Sequence, residues 1–267
     1  MSPEDLASGS VPWLVEEGDC LAILRSLPDA CVDAIITDPP YSSGGMFRSD
    51  RMQEPSAKYM NTGTKIRRPE FAGDNRDQRS FGYWCSLWLG ECQRVARPGA
   101  PLCVFSDWRQ LAVVSDVVQA GGWIWRGIAV WDKTEACRPA MGRFASQSEF
   151  LVWGSNGAMP SDRGVGCLPG VLRVPVTHDD KFHITGKPTE LLLQVVEICT
   201  PGGIILDPFC GSGTTGVAAI RRGCRFIGIE REPAYVVIAR ERLLAEENGS
   251  SVAARQAGQI PLFGRAS

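Results

Sequence analysis

Histidine is almost missing from this chain: His178 and His183 are the only two in 267 residues. The ten cysteines are scattered and contain no Cys-x-x-Cys pair. Zinc-ligand spacing is therefore absent, no metal site is expected, and buried or free thiols in a reducing cytoplasm are. No apolar run reaches the roughly 18 residues that a membrane helix needs. The first ten residues also lack the basic-then-apolar layout of a secretory signal. Internal repeats and low-complexity tracts are absent too. A net charge of −2 excludes bulk affinity for nucleic acid and leaves any such contact to local patches. What is present is ordinary globular composition, 44% apolar and 22% charged, in a length that suits one large α/β domain with a small insertion.

The most informative stretch is Asp38-Pro39-Pro40-Tyr41. It follows Val32 to Thr37, a short, partly β-branched apolar run that reads as a buried strand. Two prolines in succession cannot continue a strand, because neither has a ladder N–H and both have a fixed φ. The four residues therefore stand at the carboxyl edge of a sheet, where open α/β sheets bind ligands. A carboxylate, a stiff backbone carbonyl and an aromatic face within four residues suit a planar ring with an exocyclic amine.

Residues 1–11 read as a lead-in. A strand over 12–17 and a helix over Cys20 to Leu27, capped by Asp19, make a β-α-β start and predict parallel strands. Residues 42–80 have little periodicity and read as a long loop. It carries Lys58, Lys65, Arg67 and Arg68 with no acid among them; a solvated surface loop and a mobile lid with phosphate-contacting cations are the two readings, and the second is preferred here. A helix is predicted over 81–95, a strand over 101–106, a helix over 107–119, and strands over 123–131 and 149–153. The region 132–182, which includes Arg143, reads as the part that recognises the target. Helices over 188–199, from Thr214 through Arg222 and over 233–246 complete the domain, with strands at 204–206 and 226–229; residues 247–267 form a tail.

The second informative stretch is Asp207-Pro208-Phe209-Cys210-Gly211-Ser212-Gly213-Thr214-Thr215-Gly216, directly after the strand at 204–206. Strand, glycine turn, helix, strand and then an acid, Glu230, is the layout of a nucleoside-binding βαβ unit, with Glu230 placed for both ribose hydroxyls. Gly211 to Gly216 also satisfies G-x-G-x-x-G, so a dinucleotide cofactor and an oxidoreductase form one alternative; a glycine turn serving only packing, or a non-catalytic nucleic-acid binder, are others. The carboxylate of Asp207 beside the turn suits a cationic ligand better than a pyrophosphate, and S-adenosylmethionine offers an ammonium, a sulfonium, a ribose and an adenine.

Together these two stretches resemble the amino-methylating DNA methyltransferases, whose Asp-Pro-Pro-Tyr motif matches Asp38 to Tyr41 and whose cofactor motif matches Asp207 to Thr214. His183-Ile184-Thr185-Gly186-Lys187-Pro188 is similar to the family's His-Pro-Thr-Gln-Lys-Pro and departs from it at Ile184 and Gly186; Gly18-Asp19-Cys20 looks like the segment lining the cofactor's adenine. The catalytic motif precedes the glycine motif, as in the circularly permuted beta class. Methyltransferases of ribosomal RNA or of glutamine usually carry the reverse order, which favours DNA.

The resemblance implies a Rossmann-like α/β methyltransferase fold with a mixed, mostly parallel sheet and a small DNA-recognition insertion. It implies S-adenosylmethionine as cofactor, duplex DNA as substrate, and a bacterial or phage-encoded cytoplasmic enzyme that flips its target base. Asp38, Pro39, Pro40 and Tyr41 would be catalytic. Asp19, Cys20, Asp38, Thr185, Lys187, Asp207, Pro208, Phe209, Gly211, Ser212, Gly213, Thr214, Glu230 and Arg231 would bind cofactor. Lys58, Lys65, Arg67, Arg68 and Arg143 would contact DNA. Asp at the first motif position goes mostly with adenine N6 in the family, and cytosine N4 is the alternative. Members of the permuted group are often dimers, and Gln259-Ile260-Pro261-Leu262-Phe263 resembles peptides that dock on the bacterial sliding clamp.

Overall fold

A computed structural model describes residues 8–42, 76–137, 141–176 and 186–250. Among these the chain runs β1 (Trp13–Glu17), α1 (Cys20–Ser26), β2 (Ala34–Thr37), α2 (Gln78–Val95), β3 (Pro101–Ser106), α3 (Leu111–Ala120), β4 (Ile124–Asp132), β5 (Ser148–Ser155), β6 (Val171–Arg173), α4 (Thr189–Val195), a 3-10 turn (Val196–Ile198), β7 (Ile204–Asp207), α5 (Thr214–Arg221), β8 (Arg225–Glu230) and α6 (Pro233–Glu247).

The eight strands form one sheet in the order β1-β8-β7-β2-β3-β5-β4-β6. All neighbours pair parallel except β5, which runs antiparallel to both β3 and β4. Strands β1 and β2 are parallel as expected, but they are not neighbours: β8 and β7 lie between them. The alternation along each strand explains the layering, since successive side chains leave a strand on opposite faces. Leu14, Ile35, Leu102, Val104 and Leu206 pack under α1, α2 and α3. Val15, Ala34, Ile36, Phe105 and Ile205 face α4, α5 and α6. Helices on both faces are why β2 is buried throughout and reads as continuous apolar sequence.

Two helices start three or four residues away from expectation. Helix α2 starts at Gln78, not Phe81, because Asp77 Oδ1 accepts from the backbone N–H of Arg79 and Ser80 and caps the first turn. The loop expected over 42–80 therefore ends three residues early. Helix α3 starts at Leu111, because Asp107 first makes a turn, accepting from the N–H of Arg109 and Gln110. Within 154–182, where no periodicity was legible, Val171–Arg173 pairs parallel with β4 as the sheet's last strand. No helix among the described residues is long and apolar enough to cross a membrane.

Candidate active site

The two informative stretches meet. Strand β2 neighbours β3 on one side and β7 on the other, so the winding of the sheet reverses between β2 and β7. Their carboxyl ends open the crevice that such a reversal makes. Thr37, the last residue of β2, donates from Oγ1 to Asp207 Oδ1 at 2.7 Å. Thr215 Oγ1 donates to the other oxygen at 2.7 Å, and the Phe209 N–H donates to Oδ1 at 3.1 Å. Both Asp207 oxygens thus engage the protein's own chain, tying the strand tips together. Asp207 is 2% exposed, and burial pushes its carboxyl up to about 7.

The crevice has a volume of about 440 Å³ and is walled by both stretches, Asp38 to Tyr41 together with Asp207 to Ser212, Thr214 and Glu230. Gly211 and Gly213 take positive φ, 51° and 79°. A Cβ on Gly213 would come within 3.1 Å of Ala239, so glycine there lets α5 pack against α6. Buried Arg242 of α6 donates to the Ser212 carbonyl (2.8 Å), Ser212 Oγ (3.1 Å) and Thr214 Oγ1 (3.0 Å), which holds the turn from behind. Glu230 ends β8 and accepts from the N–H of Gly211 (2.8 Å) and of Glu232 (2.9 Å), leaving further lone pairs toward the crevice. Pro208, Phe209 and Arg231 also line it. Asp19 caps α1, accepting from Leu21 and Ala22, and lies in the wall with Cys20, whose thiol is pushed up to about 12 chiefly by burial.

A row of alternating charges also lines the crevice. Asp38 Oδ1 accepts from the Tyr41 hydroxyl at 2.6 Å and Oδ2 from Lys187 Nζ at 2.7 Å. Lys187, its side chain 8% exposed, lies 3.2 Å from Glu149 Oε2, and Glu149 Oε1 pairs with Lys133 Nζ at 2.6 Å. Burial raises the Asp38 pKa; Lys187 opposes that and Glu149 adds to it. Burial acts in the same sense on Glu149, but Lys187 and Lys133 outweigh it and its pKa falls. On Lys187 burial opposes the charge, and Asp38 and Glu149 outweigh it, so the ammonium is held. Burial, followed by Asp38, pushes the Tyr41 phenol well up, so it is a hydrogen-bond donor.

Lys187, expected from the resemblance among the cofactor's contacts, sits against the Asp38 carboxylate. Glu149, Lys133, Arg76 and Trp84 line the crevice without having been singled out from the sequence. Glu149 did leave a signal, as a lone acid opening the apolar run Phe150 to Trp153. Arg76 stacks on Trp84 at 4.2 Å, and Trp84 and Trp88 pack on Phe209 at 5.3 and 5.1 Å. Arg143 is exposed on the β4–β5 connection, outside the crevice wall. Thr185, Lys58, Lys65, Arg67, Arg68 and the stretch 259–263 lie outside the described residues. Among the described residues no group of three or more His, Cys, Asp or Glu could hold a metal ion.

Comparison with known proteins places this geometry. A family described as DNA methylase matches residues 32–163 and 169–241. The chain is 29% identical over 259 residues to the type II methyltransferase M.HinfI of Haemophilus influenzae, covering 85% of this chain and 67% of that one. It is 30% identical over 230 residues to the putative methylase YubD of Escherichia coli K12, covering 86% and 89%. Among solved structures, the M1.HpyAVI–SAM complex matches with a TM-score of 0.62 at 23% identity, over 86% of this chain and 98% of that one. The cytosine-N4-specific PvuII DNA methyltransferase matches with a TM-score of 0.67 at 16% identity, over 92% of this chain and 91% of that one. These structural likenesses show the shared fold.

Proposed function

The chain belongs to the DNA methylase family, and from that premise we propose that it moves a methyl group from S-adenosylmethionine to the exocyclic N6 of a flipped-out adenine in duplex DNA. The observation that carries this reading is the shared crevice, which Asp38 and Tyr41 line together with Gly211 and Glu230. The residues present suit the cofactor: Glu230 for the ribose hydroxyls, Phe209 and Trp84 as an aromatic wall, and the glycine turn for close backbone approach. When bound, S-adenosylmethionine supplies an electrophilic methyl on a sulfonium.

The protein's own part is to make a poor nucleophile attack. An aromatic amine delocalises its lone pair into the ring. Asp38 accepting one N–H, with the Pro39 carbonyl accepting the other, draws the nitrogen toward tetrahedral geometry and localises that pair. The nitrogen gains the methyl and releases one proton to solvent. Tyr41 stacks on the extruded base and offsets part of the cost of unstacking it. Adenine is favoured by Asp at the first motif position; cytosine N4 is the second reading, favoured by the likeness to the PvuII enzyme. Lys58, Lys65, Arg67, Arg68 and Arg143 complete the proposal as contacts to the DNA backbone, with the chain acting in a bacterial cytoplasm.

Glu230→Ala is expected to weaken S-adenosylmethionine binding roughly 10- to 100-fold, the loss of hydrogen bonds to a charged acceptor, while DNA affinity stays unchanged. Calorimetry with each ligand checks this, and full cofactor affinity would remove Glu230 from the site. Self-association and clamp docking through Gln259 to Phe263 also belong to the proposal. A chain lacking residues 257–267 is expected to lose clamp binding in a pull-down with purified clamp; unchanged binding would refute that contact.

A further inference from the structure

We propose that Lys187 and Glu149 are positioning residues for the methyl transfer: Lys187 keeps Asp38 charged while the crevice is empty and moves onto Glu149 when the target amine arrives. The inference rests on the function proposed above. In the structure the Tyr41 hydroxyl lies against Asp38 Oδ1 and the Lys187 ammonium against Oδ2. A carboxylate held that way is charged but already engaged, and a neutral amine competes poorly with an ammonium for it. The second acceptor is in place. Glu149 Oε2 lies 3.2 Å from Lys187 Nζ, a buried ion-pair contact looser than the 2.7 Å hydrogen bond that the same ammonium makes to Asp38. The longer contact leaves the ammonium room to tighten onto Glu149 as it leaves Asp38.

Three features make the shift cheap. The row Asp38, Lys187, Glu149, Lys133 alternates in sign and sums to zero, so moving the ammonium leaves no bare charge. The ammonium sits 5.2 Å from the ring centres of both Tyr41 and Phe105, which favour a cation over their faces. Lys133 holds the other Glu149 oxygen, so Glu149 is a fixed stop. Asp38 is faced by Tyr41 from its own loop, Lys187 from before α4, Glu149 from β5, and Asp207 from the end of β7; Asp107, after β3, faces Tyr41.

The test is the single-turnover rate of methyl transfer against pH, with S-adenosylmethionine and DNA both saturating, for wild type, Lys187→Met, Lys187→Arg and Glu149→Gln. Asp38 works when ionised. Without Lys187 its pKa rises further, so the acid limb of the Lys187→Met profile is expected at higher pH by one unit or more, with recovery on the alkaline side and partial rescue by Lys187→Arg. Glu149→Gln removes a charge that pushes Asp38 up, so its limb is expected at lower pH. Its plateau should nevertheless fall about tenfold, because Lys187 has lost its second partner. Cofactor affinity is expected to be unchanged in all three. A Lys187→Met profile lowered equally at every pH, a lost cofactor affinity, or a Glu149→Gln plateau equal to wild type would each overturn the inference. If Lys187→Met does not fold, Glu149→Gln and Lys187→Arg carry the test. Wild-type protein that methylates no DNA would instead refute the proposed function.

Discussion

Asp38→Ala is expected to lower methyl transfer to DNA by about a thousand-fold or more, the scale seen when an electrostatic partner of the reacting atom is removed, while S-adenosylmethionine still binds. The separation of the two effects follows from position. Asp38 is bonded to Tyr41 and Lys187, whereas Glu230 is bonded to the glycine turn at Gly211 and to Glu232, so the two carboxylates share no partner. The variant should also fold, because Lys187 keeps Glu149 as a partner and is not left as an isolated buried charge. Methylation by labelled cofactor, beside calorimetry with the same cofactor, reads both quantities. Retained activity would remove Asp38 from catalysis; loss of both activity and binding would mean that the variant disturbs the whole crevice.

Asp207→Ala is expected to do what Asp38→Ala does not: to lose stability, cofactor binding and activity together. It strips the partner from three donors at once, the hydroxyls of Thr37 and Thr215 and the Phe209 N–H. Thr37 is 1% exposed and Thr215 6%, so water cannot readily replace the lost acceptor. Buried donors left unpaired cost about 1–3 kcal/mol each, so a loss of at least about 3 kcal/mol is expected, visible as a melting midpoint lowered by several degrees. Asp207→Asn keeps an acceptor and should recover most of it.

The pH dependence has a sign. Burial raises Asp207 to about 7 from an unfolded value of about 3.9, so the folded state holds a proton that the unfolded state releases. Stability from this group is full below about pH 4 and is lost as pH rises toward 7. Asp207→Asn should flatten that slope; an unchanged slope in thermal melts would show that Asp207 does not titrate there.

Why these two aspartates were legible while Glu149 was not is a matter of range. Asp38 is marked by its own neighbours: two prolines end a strand, and a strand end in an α/β sheet is a ligand edge. Asp207 is marked by the glycines that follow it, and Asp19 by the helix it caps. Glu149 shows in the sequence as a lone acid before an apolar run, but its place at the crevice depends on a non-local fact. Strand β5 enters between β3 and β4 running against both, which puts its first residues on the edge where the other strands end. No residue near Glu149 announces that direction.

Lys187 was legible as functional through its likeness to a family segment, but its partner across 149 residues was not. The carboxylate of Asp207, expected to face a cationic ligand, has both oxygens bonded to the chain itself, a role that depends on β2 lying beside β7. The early start of α2 shows the local counterpart, since Asp77 is a cap written in the sequence and obscured by the polar Gln78, Arg79 and Ser80 that follow.

The most direct test of the central claim is to incubate the purified protein with duplex DNA and methyl-labelled S-adenosylmethionine, digest the product to nucleosides and identify the labelled one. Label on N6-methyldeoxyadenosine, absent with Asp38→Ala, is the predicted result. Label on N4-methyldeoxycytidine would keep the amine chemistry and overturn the choice of base. Label on a ring carbon, or none in DNA, would contradict the account.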